Sequence, residues 1–160
     1  MSDCCATSCN VNQASNICRR CGSKGQSVQR ITLESLIEAV ARARLGEGDY
    51  VFDPSPECDV VYFSNDQDSY FTKDDLSVRV GIKETEPPVP ICYCFGHTVE
   101  SARQEILETG RSTVVARIKN EIKAGNCACE VKNPSGQCCL GEVTKAVNAI
   151  RLEPNVVSTP

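Results

Sequence analysis

Tryptophan is absent from this sequence, histidine and methionine occur once each, and four Phe with four Tyr are the whole aromatic content of 160 residues. A core divided between two small units would be thin on such a supply, and small units of that kind usually need a staple. No run of Lys or Arg is present and the formal charge is −4, so nothing tracks a phosphate backbone and nucleic acid is not an expected partner. No apolar stretch approaches the roughly 20 residues of a membrane span, so no membrane insertion is expected. The start, Met1-Ser2-Asp3-Cys4-Cys5, has neither the basic nor the apolar region of a secretory signal. There is no Ser/His/Asp arrangement, no phosphate-cradling glycine loop and no paired acid/base carboxylates near the cysteines. The chain is therefore not expected to be an enzyme.

What the sequence has in excess is cysteine: twelve, most of them closely spaced, at Cys18/Cys21, Cys92/Cys94, Cys127/Cys129 and Cys138/Cys139. Thiolates a residue or two apart can chelate one metal centre, whereas buried structural cysteines have no reason to recur at such spacing. A disulfide framework would call for a secreted and usually shorter chain, and adjacent cysteines or Cys-x-Cys pairs are poor partners for each other. Metal ligation in the cytoplasm, where thiols stay reduced, is the expectation. Metal binding would then be part of folding.

The pattern reads as an α+β chain. Residues 1–14 read as a polar, flexible, cysteine-bearing arm (Cys4, Cys5, Cys9). Those three thiols can act as a mobile claw for a soft ion such as Cu(I), Zn(II) or Hg(II). In the unit 15–85, Leu33, Leu36, Ile37, Val40 and Ala41 fall on one helical face, with Thr32 as N-cap and Gly46-Glu47-Gly48 as the stop. Three extended segments, Tyr50 to Phe52, Asp59 to Phe63 and Leu76 to Val80, predict a small antiparallel sheet. The stretch from Glu84 to Pro90 holds three prolines and cannot continue a helix or a central strand, which places a boundary there. A helical unit, 86–152, follows. Thr98 caps a helix with Val99, Ala102, Ile106 and Leu107 on one face and Gly110 as its end. Ser112 caps a second, with Val115, Ile118 and Ile122, stopped at Gly125. After the loop Cys127 to Cys139 a last helix carries Val143, Ala146, Val147 and Ile150. Residues 153–160 read as a disordered tail.

Cys18-Arg19-Arg20-Cys21-Gly22 is a zinc-knuckle turn, and Cys58 supplies a third thiolate, leaving a closed zinc site one ligand short. In the second half, a Cys-x-Cys pair, two helices and a cysteine loop leading into a third helix match the pattern of bacterioferritin-associated ferredoxin. The runs Pro90-Ile91-Cys92-Tyr93-Cys94-Phe95-Gly96 and Asn133-Pro134-Ser135-Gly136-Gln137-Cys138-Cys139 resemble the N-terminal domain of CopZ-type copper chaperones. The likeness covers roughly residues 16–150, with the strand Val60-Val61-Tyr62-Phe63 between the two sites.

That resemblance implies a [2Fe-2S] cluster and a Zn²⁺ ion, with a small helical ferredoxin-like unit around the cluster. The cluster ligands carry over to Cys92, Cys94, Cys129 and Cys139, counted back from the Asn133 to Gly136 turn. Counting forward from Cys94 at the spacing of simpler ferredoxins selects Cys127 instead, and Cys138 stands beside Cys139. A four-cysteine zinc site is the alternative for this half, and His97 reads as a loop residue that tunes the cluster. Relatives carry Cys-x4-Cys where this chain has Asp53 to Cys58, so Asp53 takes the fourth zinc position, giving Cys18, Cys21, Asp53 and Cys58. An ordinary Asp-Pro turn, with the fourth ligand from water or the arm, is the other reading.

The function implied is non-enzymatic: one-electron transfer and handling of a soft metal such as Cu⁺, with a metal-transport or redox protein as partner. Reduction of Cu(II) to Cu(I) through the cluster is a family-level extension of it. The alternative is a cluster-based sensor of oxidants or iron, or a regulatory subunit. Family relatives transfer copper on a further domain with Met-x-Cys-x-x-Cys, which these 160 residues lack, so copper transfer itself is not carried over. Whether two copies pair is left open.

Overall fold

The computed structural model of the chain describes residues 16–154. The arm cysteines Cys4, Cys5 and Cys9 and most of the expected disordered tail lie outside the described residues.

The first half is a four-stranded antiparallel meander of β1 (Gln26–Val28), β2 (Tyr50–Phe52), β3 (Val60–Ser64) and β4 (Ser69–Thr72), in that spatial order. Phe52 faces Tyr62, and Phe63 faces Tyr70, so aromatic and β-branched neighbours stack across the strands. β3 is buried at every position, which is why Val60, Val61, Tyr62 and Phe63 read as a continuous apolar run rather than an alternating one. Helix α1 (Arg30–Leu36) and the short α2 (Ala39–Arg42) join β1 to β2.

Several expectations change here. The helix predicted across Leu33 to Ala41 is two pieces, because Ile37 turns to extended geometry and pairs with Leu76. The Glu38 amide bonds to Asp75 O at 2.8 Å and the Ser77 amide to Leu36 O at 2.8 Å, so tertiary pairing overrides the helical period. Leu33, Leu36, Ile37 and Ala41 are still buried, but Val40 is 91% exposed. Thr32 is not a cap: it lies inside α1, and its hydroxyl donates to the carbonyl of Glu130 at 2.6 Å. The third expected strand, Leu76 to Val80, makes only the single bridge to Ile37, and its place in the sheet is taken by β4.

The second half opens with a two-stranded hairpin, β5 (Pro90–Cys92) and β6 (His97–Thr98). His97 therefore sits in a strand opposite Cys92, not in a loop. Helices α3 (Val99–Thr109), α4 (Val114–Lys123), α5 (Cys129–Lys132) and α6 (Leu140–Arg151) follow. Thr98 caps α3 through a reciprocal box with Ser101, and α3 ends at Gly110 in left-handed geometry, as its sequence predicts. Leu107 is exposed rather than on the packed face. Ala102, Ile106, Val114, Ile118, Val143, Val147 and Ile150 form one core, and Cys92, Cys129 and Cys139 belong to it.

The halves touch through named bonds. The fully buried Tyr62 donates its hydroxyl to Pro134 O at 2.6 Å, Thr32 reaches Glu130, and the Gly81 amide donates to the Tyr93 hydroxyl at 2.8 Å. Among the described residues, no helix is long and apolar enough to cross a membrane.

Candidate metal centre

The knuckle is a tight hairpin held by its own backbone. The Cys18 amide donates to Ser23 O at 2.9 Å, the Gly22 amide donates to Cys18 O at 2.8 Å, and Ile17 bridges Lys24. Gly22 takes a φ of +74°, a left-handed turn that strains any residue with a Cβ. Gly25 is demanded for space: a Cβ there would lie 2.4 Å from Val51 Cγ1 and 2.5 Å from Phe52 O. This close approach lays the knuckle on β2, whose next residue is Asp53.

Asp53 and Cys58 stand at the two ends of the β2–β3 loop. The Asp53 amide extends the ladder to Val61 O at 2.9 Å, and the Cys58 amide donates to Ser55 O at 3.4 Å. The result is convergence: one ligand atom from each of Cys18, Cys21, Asp53 and Cys58 lies within 4.8 Å of all the others. Asp53 Oδ2 accepts from the Cys21 thiol at 3.2 Å, and Oδ1 accepts from the Ser55 amide at 2.8 Å. Cys18 and Cys58 are buried and Cys21 is exposed, so the site has one open side.

Burial acts on each donor. It pushes Cys58 up to about 12 and raises Cys18, which the Asp53 carboxyl raises further.

 For Asp53, burial raises the carboxyl, but the Cys18 thiol, the Ser55 amide, the Cys21 thiol and the Lys83 charge outweigh it and hold the group below the usual carboxylate range. For Cys21, burial raises the thiol and the hydroxyl and amide of Ser23 outweigh it, so the net shift is downward. Three sulfurs with one carboxylate oxygen suit a soft or borderline ion such as Zn²⁺ or Cu⁺.

The second set of thiols is arranged differently. Cys92 ends β5, Cys94 lies in the hairpin turn, Cys129 opens α5, and Cys139 caps α6. Cys94 Sγ lies 3.5 Å from Cys129 Sγ and accepts the Ala128 amide at 3.3 Å. The Cys139 thiol lowers Cys92 to about 6 against the effect of burial, with the Phe95 and Cys94 amides helping, and Cys92 together with burial drives Cys139 upward. Cys129 is pushed up to about 12 by burial and by Cys94. The loop between Cys129 and Cys139 is fixed by Asn133, whose Oδ1 accepts from the Ser135 amide at 3.1 Å and whose Nδ2 donates to Gln137 O at 2.8 Å. Of the alternatives, Cys127 is half-buried against the helical core, and Cys138 is exposed, opening onto a cavity of about 710 Å³ lined also by Phe52, Val80, Tyr93 and Pro134.

A family described as a zinc binding domain matches residues 15–77, the stretch that contains Cys18, Cys21, Asp53 and Cys58. The copper chaperone CopZ of Archaeoglobus fulgidus is 32% identical over 124 residues, covering 76% of this chain. The X-ray structure of the N-terminal domain of that organism's CopZ matches with a TM-score of 0.65 at 30% identity, covering 81% of this chain and 95% of the solved one. The chain belongs to the family of the CopZ N-terminal domain. It spans 57% of the length of the curated chaperone, so this CopZ-type chain corresponds to part of that protein.

One residue of the CopZ-type site was missed by sequence reasoning. Lys83, with its side chain wholly buried, sits 3.8 Å from Asp53 Oδ1 and donates to Ser55 O at 2.6 Å and Cys58 O at 3.0 Å. A single lysine between Ile82 and Glu84 has no spacing signal that separates it from a surface charge.

Proposed function

We propose that this chain is a two-centre metal module that carries single electrons and handles a soft metal of the copper type, without being an enzyme. The units 15–85 and 86–152 each hold one centre. Zn²⁺ would be held by Cys18, Cys21, Asp53 and Cys58, and a [2Fe-2S] cluster by Cys92, Cys94, Cys129 and Cys139. What supports the first assignment is the convergence of four donors, all within 4.8 Å of one another, a spread compatible with ligation of a single ion.

The second assignment rests chiefly on pairing. Two thiolates on one tetrahedral metal lie about 3.8 Å apart for metal–sulfur bonds of about 2.3 Å. The Cys94–Cys129 separation of 3.5 Å is close to that, and Cys92 with Cys139 makes a second pair. Two pairs suit a centre of two metals, and the Ala128 amide on Cys94 Sγ supplies the kind of N–H···S bond that stabilises a thiolate ligand. When bound, such a cluster exchanges one electron at a potential set by its surroundings. The chain's own contribution is burial of Cys92, Cys129 and Cys139 in the helical core, which limits access of water to the donors. The soft-metal role, and a metal-transport or redox protein as partner, rest on the kinship with a copper chaperone.

The test is anaerobic purification followed by metal analysis and visible and EPR spectra, before and after dithionite, on wild type, Cys129→Ser and Cys127→Ser. Two irons and one zinc, with a spin-half signal on reduction that Cys129→Ser perturbs and Cys127→Ser leaves, is the expected result. Zinc alone in protein matured with adequate iron would sink the electron-transfer reading and leave a thiolate zinc scaffold.

A further inference from the structure

Lys83 ends the 3-10 turn Gly81–Lys83, and its backbone is fixed before its side chain is considered. The Lys83 amide donates to Val80 O at 2.8 Å, and Lys73 Nζ donates to Lys83 O at 3.3 Å. From that anchor the side chain runs beneath the β2–β3 loop. Its ammonium meets Ser55 O, Cys58 O and Asp53 Oδ1, three acceptors that all belong to the loop carrying Asp53 and Cys58. The two oxygens of Asp53 are thereby divided. Oδ1 faces the ammonium and the Ser55 amide, while Oδ2 faces the Cys21 sulfur.

Charge gives the arrangement a second use. Three thiolates and a carboxylate carry four negative charges against the two positive charges of Zn²⁺, so the loaded site is anionic. A buried cation at 3.8 Å from one donor offsets part of that charge where water cannot. Side chains that hold and orient metal ligands in this way are as much a part of a site as the ligands themselves.

We propose that Lys83 is a positioning residue of the first metal site: it turns Asp53 so that Oδ2 joins the sulfurs and sets a buried positive charge against the anionic donors. The inference rests on the reading that Cys18, Cys21, Asp53 and Cys58 bind metal. It also distinguishes Lys83 from a residue that merely fills the space between the loop and the Gly81–Lys83 turn.

The experiment is a double-mutant cycle on the full chain: wild type, Lys83→Met, Asp53→Asn and the double variant. Zinc affinity is measured by chelator competition, and the ligand-field spectrum of the Co²⁺-loaded site is recorded. Lys83→Met is expected to weaken zinc binding by about 10–100-fold and to shift the Co²⁺ bands. In the Asp53→Asn background the same change should cost less than about threefold, because its charged partner is gone. Equal effects in both backgrounds, or a Lys83→Met protein with wild-type affinity and spectrum, would overturn the inference. Should Lys83→Met not fold, amide exchange on the wild type decides: the Ser55 amide is expected to stay protected after zinc is removed, and free exchange there would overturn the proposal. If Cys58→Ser leaves the zinc content unchanged, the metal reading fails and this inference with it, whereas the outcomes above strike Lys83 alone.

Discussion

The two cysteine clusters of this chain use the same donor atom in two geometries. In the first half, three sulfurs and a carboxylate oxygen converge, Cys18 and Cys21 from a knuckle closed by the Ile17–Lys24 bridge and Asp53 and Cys58 from the loop between β2 and β3. In the second half Cys94 lies 3.5 Å from Cys129 and Cys92 interacts with Cys139, the four residues sitting in a hairpin turn and at strand and helix ends around an apolar core. Convergence suits one ion and pairing suits two metals, so under the proposed reading the spacing of the loops by their supporting elements would set the number of metals each half holds. The first cluster is also mixed in hardness and has a buried lysine beside it, whereas the second is thiol throughout.

The sharpest way to break the comparison is to remove one ligand from each side. Cys58→Ser is expected to lose most of the zinc while the iron content stays near that of wild type, and Cys139→Ser is expected to do the reverse. Metal analysis with visible spectra reads both. Loss of both metals from either variant would mean that the halves fold as one metal-dependent unit.

Exchanging the odd donor sharpens the same contrast. Asp53→Cys makes the first cluster all-thiol, and the shorter reach of cysteine is partly offset by a metal–sulfur bond of about 2.3 Å against about 2.0–2.2 Å for oxygen. Preference for Cd²⁺ over Zn²⁺ should rise, measured by competition between the two ions. An unchanged preference would mean that position 53 is not a ligand.

Tyr62 joins the halves that carry the clusters, its hydroxyl donating to Pro134 O at 2.6 Å. Burial raises its ionisation well above that of an ordinary phenol, so it acts as a neutral donor. Tyr62→Phe leaves a buried carbonyl without that donor, and a loss of about 1–3 kcal/mol in urea unfolding is expected. The Asn133 turn next to it carries the loop to Cys139, so the visible spectrum of the variant tests whether the inter-half bond also shapes the second cluster.

Much of this organisation was legible in the sequence, for identifiable reasons. The Thr98 cap, the Gly110 stop and the apolar period of α6 are local signals, and the structure has each of them. The knuckle was legible because Cys18, Cys21 and Gly22 are neighbours in sequence. What escaped depends on distant partners: Ile37 leaves its helix for Leu76, and Lys83 is buried by a loop nearly 30 residues earlier. The strand Ser69–Thr72 carried a usable signal, two aromatics and a threonine after the Asn65-Asp66 turn, while Gln26–Val28 and the four-residue Cys129–Lys132 are too short and polar to have one.

The smallest expected difference concerns acid. Each half has a carboxylate that holds a turn: Asp75 accepts the Thr72 amide at 2.8 Å and Arg44 at 2.6 Å, and Glu105 accepts the Thr113 amide at 3.0 Å and the Ser112 hydroxyl at 3.2 Å. Burial raises both groups, but these bonds, with the Thr113 hydroxyl foremost at Glu105, outweigh it and hold both below the ordinary carboxylate range. A carboxylate whose folded value is depressed contributes stability above its unfolded value of about 4, and that contribution is lost as pH falls through the folded value. Both halves should therefore weaken in the same direction below about pH 4, each by less than about 1 kcal/mol from this source, since both groups are partly solvated. Asp75→Asn and Glu105→Gln, compared with wild type by urea unfolding across that range, should each flatten the acid slope. A slope that only Asp75→Asn flattens would place the acid sensitivity in the sheet half alone and break the symmetry between the two supporting frameworks.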